Sequence, residues 1–207
     1  MKKLLSTCQV FIALLFLPAS AVSADILINF DDFAAPSLFE LTAPLTVRYA
    51  SMGITFEGPA TGQGGAILNQ SSNFGVNAYS GTNFLAFNRD AYPKDPETIL
   101  FDDPWKTVSI YAAGGNSVDT FLMQAFDNIG NLVGTASVTS QGWSLLTVSS
   151  EAENIRKIVL TQTGDNLFVY DDLRATDSSA PVAEPATLFL LVAGIAGLAG
   201  LRSGRRN

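Results

Sequence analysis

Short runs of β-branched and aromatic residues recur along the middle of this chain, and Gly, Asn, Asp or Pro separates each run from the next. Such runs, bounded by turn-forming residues, are typical of β-strands. No window of convincing length has the apolar spacing of an amphipathic helix. The runs span residues 26–30, 45–49, 53–57, 83–87, 98–101, 107–112, 120–126, 132–138, 144–148, 155–161 and 167–170. The pattern predicts an all-β domain of about ten or eleven strands.

This number of strands in one domain, residues 25–176, favours a two-sheet β-sandwich of the jelly-roll type over a seven-stranded immunoglobulin sandwich. Residues 127–131, with the sequence Asp-Asn-Ile-Gly-Asn, lie between two of the runs. They predict a hairpin turn, because Asn and Gly tolerate positive φ. We therefore expect the two flanking strands to pair antiparallel.

The first 24 residues have the features of a secretory signal peptide. Lys2 and Lys3 precede an apolar stretch over residues 4–17, and small residues follow at 19–24. Cleavage is expected after Ala24, with Ala21 as the alternative site. An uncleaved membrane anchor is the other interpretation, but the apolar core is short for a span. The segment predicts that the protein is exported.

The chain has one cysteine, Cys8, which lies inside this signal, and it has no histidine. The mature chain therefore excludes disulfides, thiol nucleophiles, Ser-His-Asp triads and histidine-based zinc sites. Residues 25–176 hold 17 Asp and Glu against 7 Lys and Arg, a net charge near −10, whereas the whole chain carries −7. Such an acidic domain makes nucleic acid an unsuitable partner.

The C-terminal end has a separate organisation. A small and polar linker, residues 177–183, precedes a short polar motif and the apolar run 188–201. As a helix, 14 residues extend about 21 Å, which suffices for a thin or locally thinned membrane. Basic residues follow the run and are expected to remain in the cytoplasm. The motif is Glu184, Pro185, Ala186 and Thr187, and the basic residues are Arg202, Arg205 and Arg206.

Residues 182–206 resemble the PEP-CTERM sorting signal of Gram-negative bacteria, which has this motif, helix and basic cluster in the same order. The chain differs in having Ala183 where the family usually has proline. The resemblance implies insertion in the inner membrane, recognition of residues 184–207 by an exosortase-type membrane protease, and removal of the tail. It also implies that the mature protein reaches the cell surface or an extracellular polysaccharide matrix.

The domain itself resembles the jelly-roll domains that PEP-CTERM proteins often carry, which are similar in layout to non-catalytic carbohydrate-binding modules. The segments that carry this looser resemblance are residues 29–32, 80–88, 125–135 and 169–173. The resemblance implies a structural calcium ion and a polysaccharide partner.

Two pairs of aspartates end the first and last predicted strands. Since the terminal strands of a jelly roll often lie side by side, Asp31, Asp32, Asp171 and Asp172 are expected to converge at one edge. Calcium prefers such oxygen ligands, so these four are candidate ligands for a structural Ca²⁺. Solvated strand ends or turn-forming residues are the alternative interpretation.

Four aromatic residues lie in or beside segments rich in Gly, Pro and Asn, where a ring can be exposed to a sugar. The candidates for a carbohydrate-binding face are Tyr79, Tyr92, Trp105 and Trp143. For the two tryptophans, packing in the core or at a sheet edge is the alternative.

These observations predict an exported, surface-sorted, non-catalytic protein that binds or is embedded in extracellular polysaccharide. A purely structural surface protein without a ligand is one alternative. A carbohydrate-active enzyme is another, but a glycosidase needs two carboxylates across a cleft. No spacing selects such a pair among Glu40, Glu57, Asp102 and Asp103.

Overall fold

The computed structural model describes residues 25–60, 62–69, 74–88, 95–164 and 168–177. The strands within these residues are β1 Asp25–Ile28, β2 Ile54–Glu57, β3 Gly65–Leu68, β4 Phe84–Asn88, β5 Glu97–Trp105, β6 Thr107–Ala113, β7 Asp119–Phe126, β8 Leu132–Ser140, β9 Ser144–Ser149, β10 Ile155–Thr163 and β11 Val169–Thr176. Two single-turn 3₁₀ helices, Phe39–Leu41 and Ala50–Met52, lie between β1 and β2. Within the described ranges, no helix has the length and apolar character needed to cross a membrane.

The strands form two sheets. One sheet has the order β3-β4-β11-β6-β9, with β1 pairing to β11, and the other has the order β2-β5-β10-β7-β8. All of the pairings are antiparallel. The predicted all-β, two-sheet sandwich is thus confirmed.

The core lies between the two sheets, and in strands such as β6 and β7 the side chains alternate between the core and the outer face. In β7, for example, Phe121, Met123 and Ala125 are fully buried, whereas their neighbours in sequence are partly exposed. The same alternation in β6 buries Val108 and Ile110. In these strands, the residues between the buried ones therefore form the outer face of the sheet, whereas β3 and β4 are buried throughout.

The two terminal strands lie side by side as expected, since β1 pairs with β11 from Asp25 opposite Thr176 to Ile28 opposite Leu173. The predicted hairpin at 127–131 is also present, because β7 and β8 pair antiparallel across it. The Asp127 carboxylate accepts hydrogen bonds from the backbone N–H groups of Ile129 and Asn131 at 3.0 and 2.8 Å.

The prediction of a strand at residues 45–49 is wrong. This segment is a turn in which Thr46 has a φ of 41°, and the 3₁₀ helix Ala50–Met52 follows it. Leu45 and Tyr49 are still buried, at 6% and 5% exposure, because a turn can direct the same apolar side chains into the core. In addition, β3, Gly65–Leu68, is a strand that none of the predicted runs covers.

Candidate functional site

A groove of about 290 Å³ lies on the outer face of the six-stranded sheet. The strand register builds it: Arg174 of β11 lies opposite both Leu27 of β1 and Ser109 of β6, and Tyr111 of β6 lies opposite Leu145 of β9. The residues that line the groove are Leu27, Tyr79, Ser109, Tyr111, Leu145, Asp172 and Arg174.

Aromatic rings form one side of this groove. The Tyr79 ring stacks on the Tyr111 ring with centroids 3.6 Å apart and an interplanar angle of 20°. Trp143 packs edge-on against Tyr79 at 6.0 Å, and its Nε1–H donates to the Asn77 carbonyl oxygen at 2.9 Å. Tyr79 is 43% exposed. A ring held in place by its neighbours can thus offer its surface to a ligand with little further loss of side-chain entropy.

Apolar and polar groups complete the groove. Leu27 and Leu145 expose 57% and 49% of their surface, which is unusual for leucines on strands and gives the groove apolar walls. The side-chain hydrogen bond with Tyr111 raises the pKa of Tyr79. Asp172 and Arg174 add an acceptor and a donor. This mixture of ring faces, apolar walls and a few polar groups is typical of small-ligand sites.

The segment that carries Tyr79 is held by Asp171. One Asp171 carboxylate oxygen, Oδ2, accepts hydrogen bonds from the backbone N–H groups of Tyr79 at 2.8 Å and of Ser80 at 3.2 Å. The other oxygen accepts from the N–H of Asp172 at 2.8 Å. Burial raises the pKa of Asp171 to about 7, and the hydrogen bonds from Ser80, Asp172 and Tyr79 oppose this rise. Strand β11 therefore positions Tyr79.

Asp31 holds the far end of the same segment. Its Oδ1 accepts from the backbone N–H groups of Thr82 and Asn83, both at 2.9 Å. Gly81, between these two anchors, has a φ of 57°, and a Cβ at this position would collide with the Asp31 carboxylate. Glycine is therefore required at this turn.

The four predicted calcium ligands separate into two groups. Asp31, Asp171 and Asp172 all contact residues 80–83, since Asp172 Oδ1 accepts from the Ser80 hydroxyl at 2.6 Å. Asp32 lies elsewhere and accepts from the Tyr49 hydroxyl at 2.7 Å. The described part of the chain has no group of three acidic, cysteine or histidine side chains placed to hold a metal. The carboxylate oxygens bind N–H and O–H groups instead, and calcium stays a prediction.

Two of the four predicted ligand-binding aromatics are in contact, since Trp143 packs against Tyr79, which lines the groove. Trp105 is 4% exposed and belongs to the core, so it offers no ring face to a ligand and the alternative interpretation holds for it. Tyr92 lies outside the described residues. The signal peptide and the whole C-terminal signal, residues 184–207, also lie outside them.

Sequence reasoning missed Tyr111, which supports the Tyr79 ring. Tyr111 lies within a strand-forming run and was not distinguished there from a core residue. The signal was present, however, because Val108, Ile110 and Ala112 form the apolar side of β6 and leave Ser109 and Tyr111 on the other side. The contributions of Leu27, Leu145 and Arg174 depend on strand register, which the sequence alone did not provide.

Comparison with known proteins gives similarity in structure only: no family model matches the sequence, and no curated protein matches it. A DUF4465 family protein from Bacteroides caccae matches 75% of this chain and 100% of its own, with 12% identity and a TM-score of 0.50. The adhesin domain of Lys-gingipain covers 73% of this chain and 99% of its own, with 15% identity and a TM-score of 0.44. A xylan-binding domain of carbohydrate-binding module family 22 covers 66% and 94%, with 17% identity and a TM-score of 0.38. The first similarity supports the fold.

Proposed function

We propose that the protein is a non-catalytic, exported binding protein that holds extracellular polysaccharide in the groove on its six-stranded sheet. The observation that carries the proposal is the exposed Tyr79 ring, which is stacked on Tyr111 and braced by Trp143. The C–H face of a sugar ring packs against such an aromatic surface. Ser109, Asp172 and Arg174 are within the same groove and are suited to the hydroxyl groups at the edge of the sugar.

The groove supports this function over a purely structural role. Leu27, Leu145 and Tyr79 expose apolar surface together on one sheet face, and apolar surface in water is unfavourable. Binding a sugar chain removes this surface from water. The lack of cysteine and histidine in the mature chain also agrees with a role in binding.

Replacement of Tyr79 by alanine tests the proposal. Since exposed aromatic anchors dominate binding energies, Tyr79→Ala should weaken binding by about thirtyfold or more. Affinity electrophoresis of the protein recovered from its host, in gels containing the host's exopolysaccharide, measures the change. Phe126→Ala is the matched control, because Phe126 lies in the other sheet. Equal loss in both variants, or no binding by the wild type, would contradict the proposal.

We further propose that the C-terminal signal directs the protein to the surface through an exosortase-type protease. The support is the order of motif, apolar run and arginines in residues 184–206. Replacing Glu184 and Pro185 by alanine should leave export intact and block removal of the tail, so that precursor accumulates in the inner membrane. Fractionation and immunoblotting measure this accumulation. Processing equal to the wild type would exclude the assignment.

A further inference from the structure

The charged groups around the groove are arranged so that its arginine is already paired. Arg174 Nη2–H donates to Asp25 Oδ2 at 2.6 Å, and Nε–H donates to Asp25 Oδ1 at 3.2 Å. This two-bond geometry is the one with which arginine binds a carboxylate of any source, including that of a uronic acid. Asp25 therefore occupies the Nε–Nη2 edge of the guanidinium, and a uronate would have to displace it to form the same two bonds there.

The Asp172 carboxylate lines the groove and adds negative charge, while Arg174, the cation of the same lining, is paired with Asp25. Asp172 lines the groove and accepts the Ser80 hydroxyl hydrogen at 2.6 Å. The side chains of Asp25, Arg174 and Asp172 together carry one net negative charge, two carboxylates against one guanidinium. The surrounding domain, at a net charge near −10, has the same sign. An anionic ligand meets repulsion here, whereas a sugar hydroxyl can donate to a carboxylate.

We infer that the groove selects uncharged sugar units and rejects acidic ones, with the Asp25–Arg174 pair as the element that sets this preference. The inference rests on the proposed function. Two carboxylates accept hydrogen bonds from neutral hydroxyl groups, and Arg174 is fixed by Asp25 instead of binding an anionic substituent. Removing Asp25 would release the guanidinium fork and open the groove to a uronate.

Matched pairs of polysaccharides test the preference. Polygalacturonate, alginate and the exopolysaccharide of the host are each compared with the same polymer after reduction of its carboxylates to primary alcohols. The wild type should bind the reduced form at least about tenfold more tightly in 50 mM NaCl. The difference should shrink at 0.5 M NaCl, because salt screens the repulsion between exposed charges.

Asp25→Asn provides the stronger test, since it predicts a gain. The variant should lower the ratio of affinities for reduced and acidic polymers to about threefold or less, through tighter binding of the acidic form. Asp127→Asn makes the same change of charge in the exposed hairpin between β7 and β8 and should keep the wild-type ratio. A change of ratio in both variants would assign the effect to overall charge and overturn the role of the pair.

The outcomes separate this inference from the proposed function. Equal binding of both forms, or tighter binding of the acidic form, overturns the preference and leaves polysaccharide binding in place. Binding to neither form of any pair overturns the proposed function and the preference together. Selective binding by the wild type, lost in Asp25→Asn and kept in Asp127→Asn, establishes the inference.

Discussion

Asp171 and Glu97 are both buried carboxylates, but their surroundings differ. Asp171 accepts three backbone N–H hydrogen bonds, from Tyr79, Ser80 and Asp172. Glu97 accepts one, from the N–H of Gly65 at 3.0 Å, and its Oε2 has no partner among the described residues. Burial raises the pKa of both groups. One hydrogen bond opposes this rise in Glu97, whereas three oppose it in Asp171. A buried carboxylate in this sandwich is thus stabilised where several N–H groups donate to it, as in Asp171, and is costly where they do not.

The surroundings of Glu97 explain that cost. Tyr170 is fully buried, and its hydroxyl group has no partner within the described residues. Burial is the largest cause of its raised pKa, and the charge of Glu97 is the second. Glu97 begins β5 opposite Leu160 of β10, facing the core. An ionised carboxylate in this position lacks the hydrogen bonds that stabilise Asp171, so burial favours the protonated form.

The largest effect is expected for Asp171→Ala. It leaves three backbone N–H groups without their acceptor, which costs about 3 kcal/mol and lowers Tm by roughly 6–12 °C. The near-ultraviolet circular dichroism of the Tyr79–Tyr111 stack should weaken in parallel. Asp127→Ala is the control: Asp127 also accepts backbone N–H bonds, but water can replace it at an exposed hairpin. A melting shift as large in Asp127→Ala would remove the role assigned to burial.

Calcium binding would give Asp171 a second role, as a metal ligand, that Glu97 does not have. If Ca²⁺ binds at the predicted aspartates, calcium at 100 times its Kd should raise stability by about 2.7 kcal/mol, or Tm by roughly 5–10 °C. The rise, measured in CaCl₂ against EDTA, should vanish in the double variant Asp171→Asn, Asp172→Asn. An unchanged Tm in EDTA would show that these aspartates act through N–H and O–H groups alone.

The sequence was sufficient for the fold because burial on alternate positions is a local property. Phe121, Met123 and Ala125 could be assigned to one side of β7 without any knowledge of the other strands. Leu45 and Tyr49 show the limit: they are buried as an apolar pattern predicts, but the backbone reaches this burial through a turn at Thr46.

The groove was only half predictable for a related reason. Tyr79 and Trp143 were found because their neighbours are turn-forming residues, which indicate exposure. Tyr111 and Arg174 become part of the site through the pairing of β6 with β11 and β9. These strands are far apart in the chain. Long-range register of this kind leaves no local signal in one sequence.

Glu97→Gln tests whether the buried Glu97 carboxylate destabilises the protein as pH rises. Because the pKa of Glu97 is raised on folding, its contribution to stability is present below the unfolded value, about 4.3, and is lost as pH rises toward the folded value. The free energy of unfolding can fall by at most about 1.4 kcal/mol per pH unit through this group. The variant should therefore gain Tm over the wild type as pH increases from about 4.5. Glu57→Gln, an exposed glutamate at the end of β2, should follow the wild-type profile.

The smallest effect on stability is expected at the exposed ion pair beside the groove. The side chains of Arg174 and Asp25 are 55% and 46% exposed, so water and salt weaken their attraction even at 2.6 Å. Arg174→Ala should change Tm by less than about 2 °C, and the change should shrink further at 0.5 M NaCl. A fall of more than about 5 °C that persists in high salt would mean that the Arg174 side chain stabilises the sheet by packing. In that case a charged group at the surface would stabilise the fold as much as one in the core. Burial would then not explain the contrast between Asp171 and Glu97.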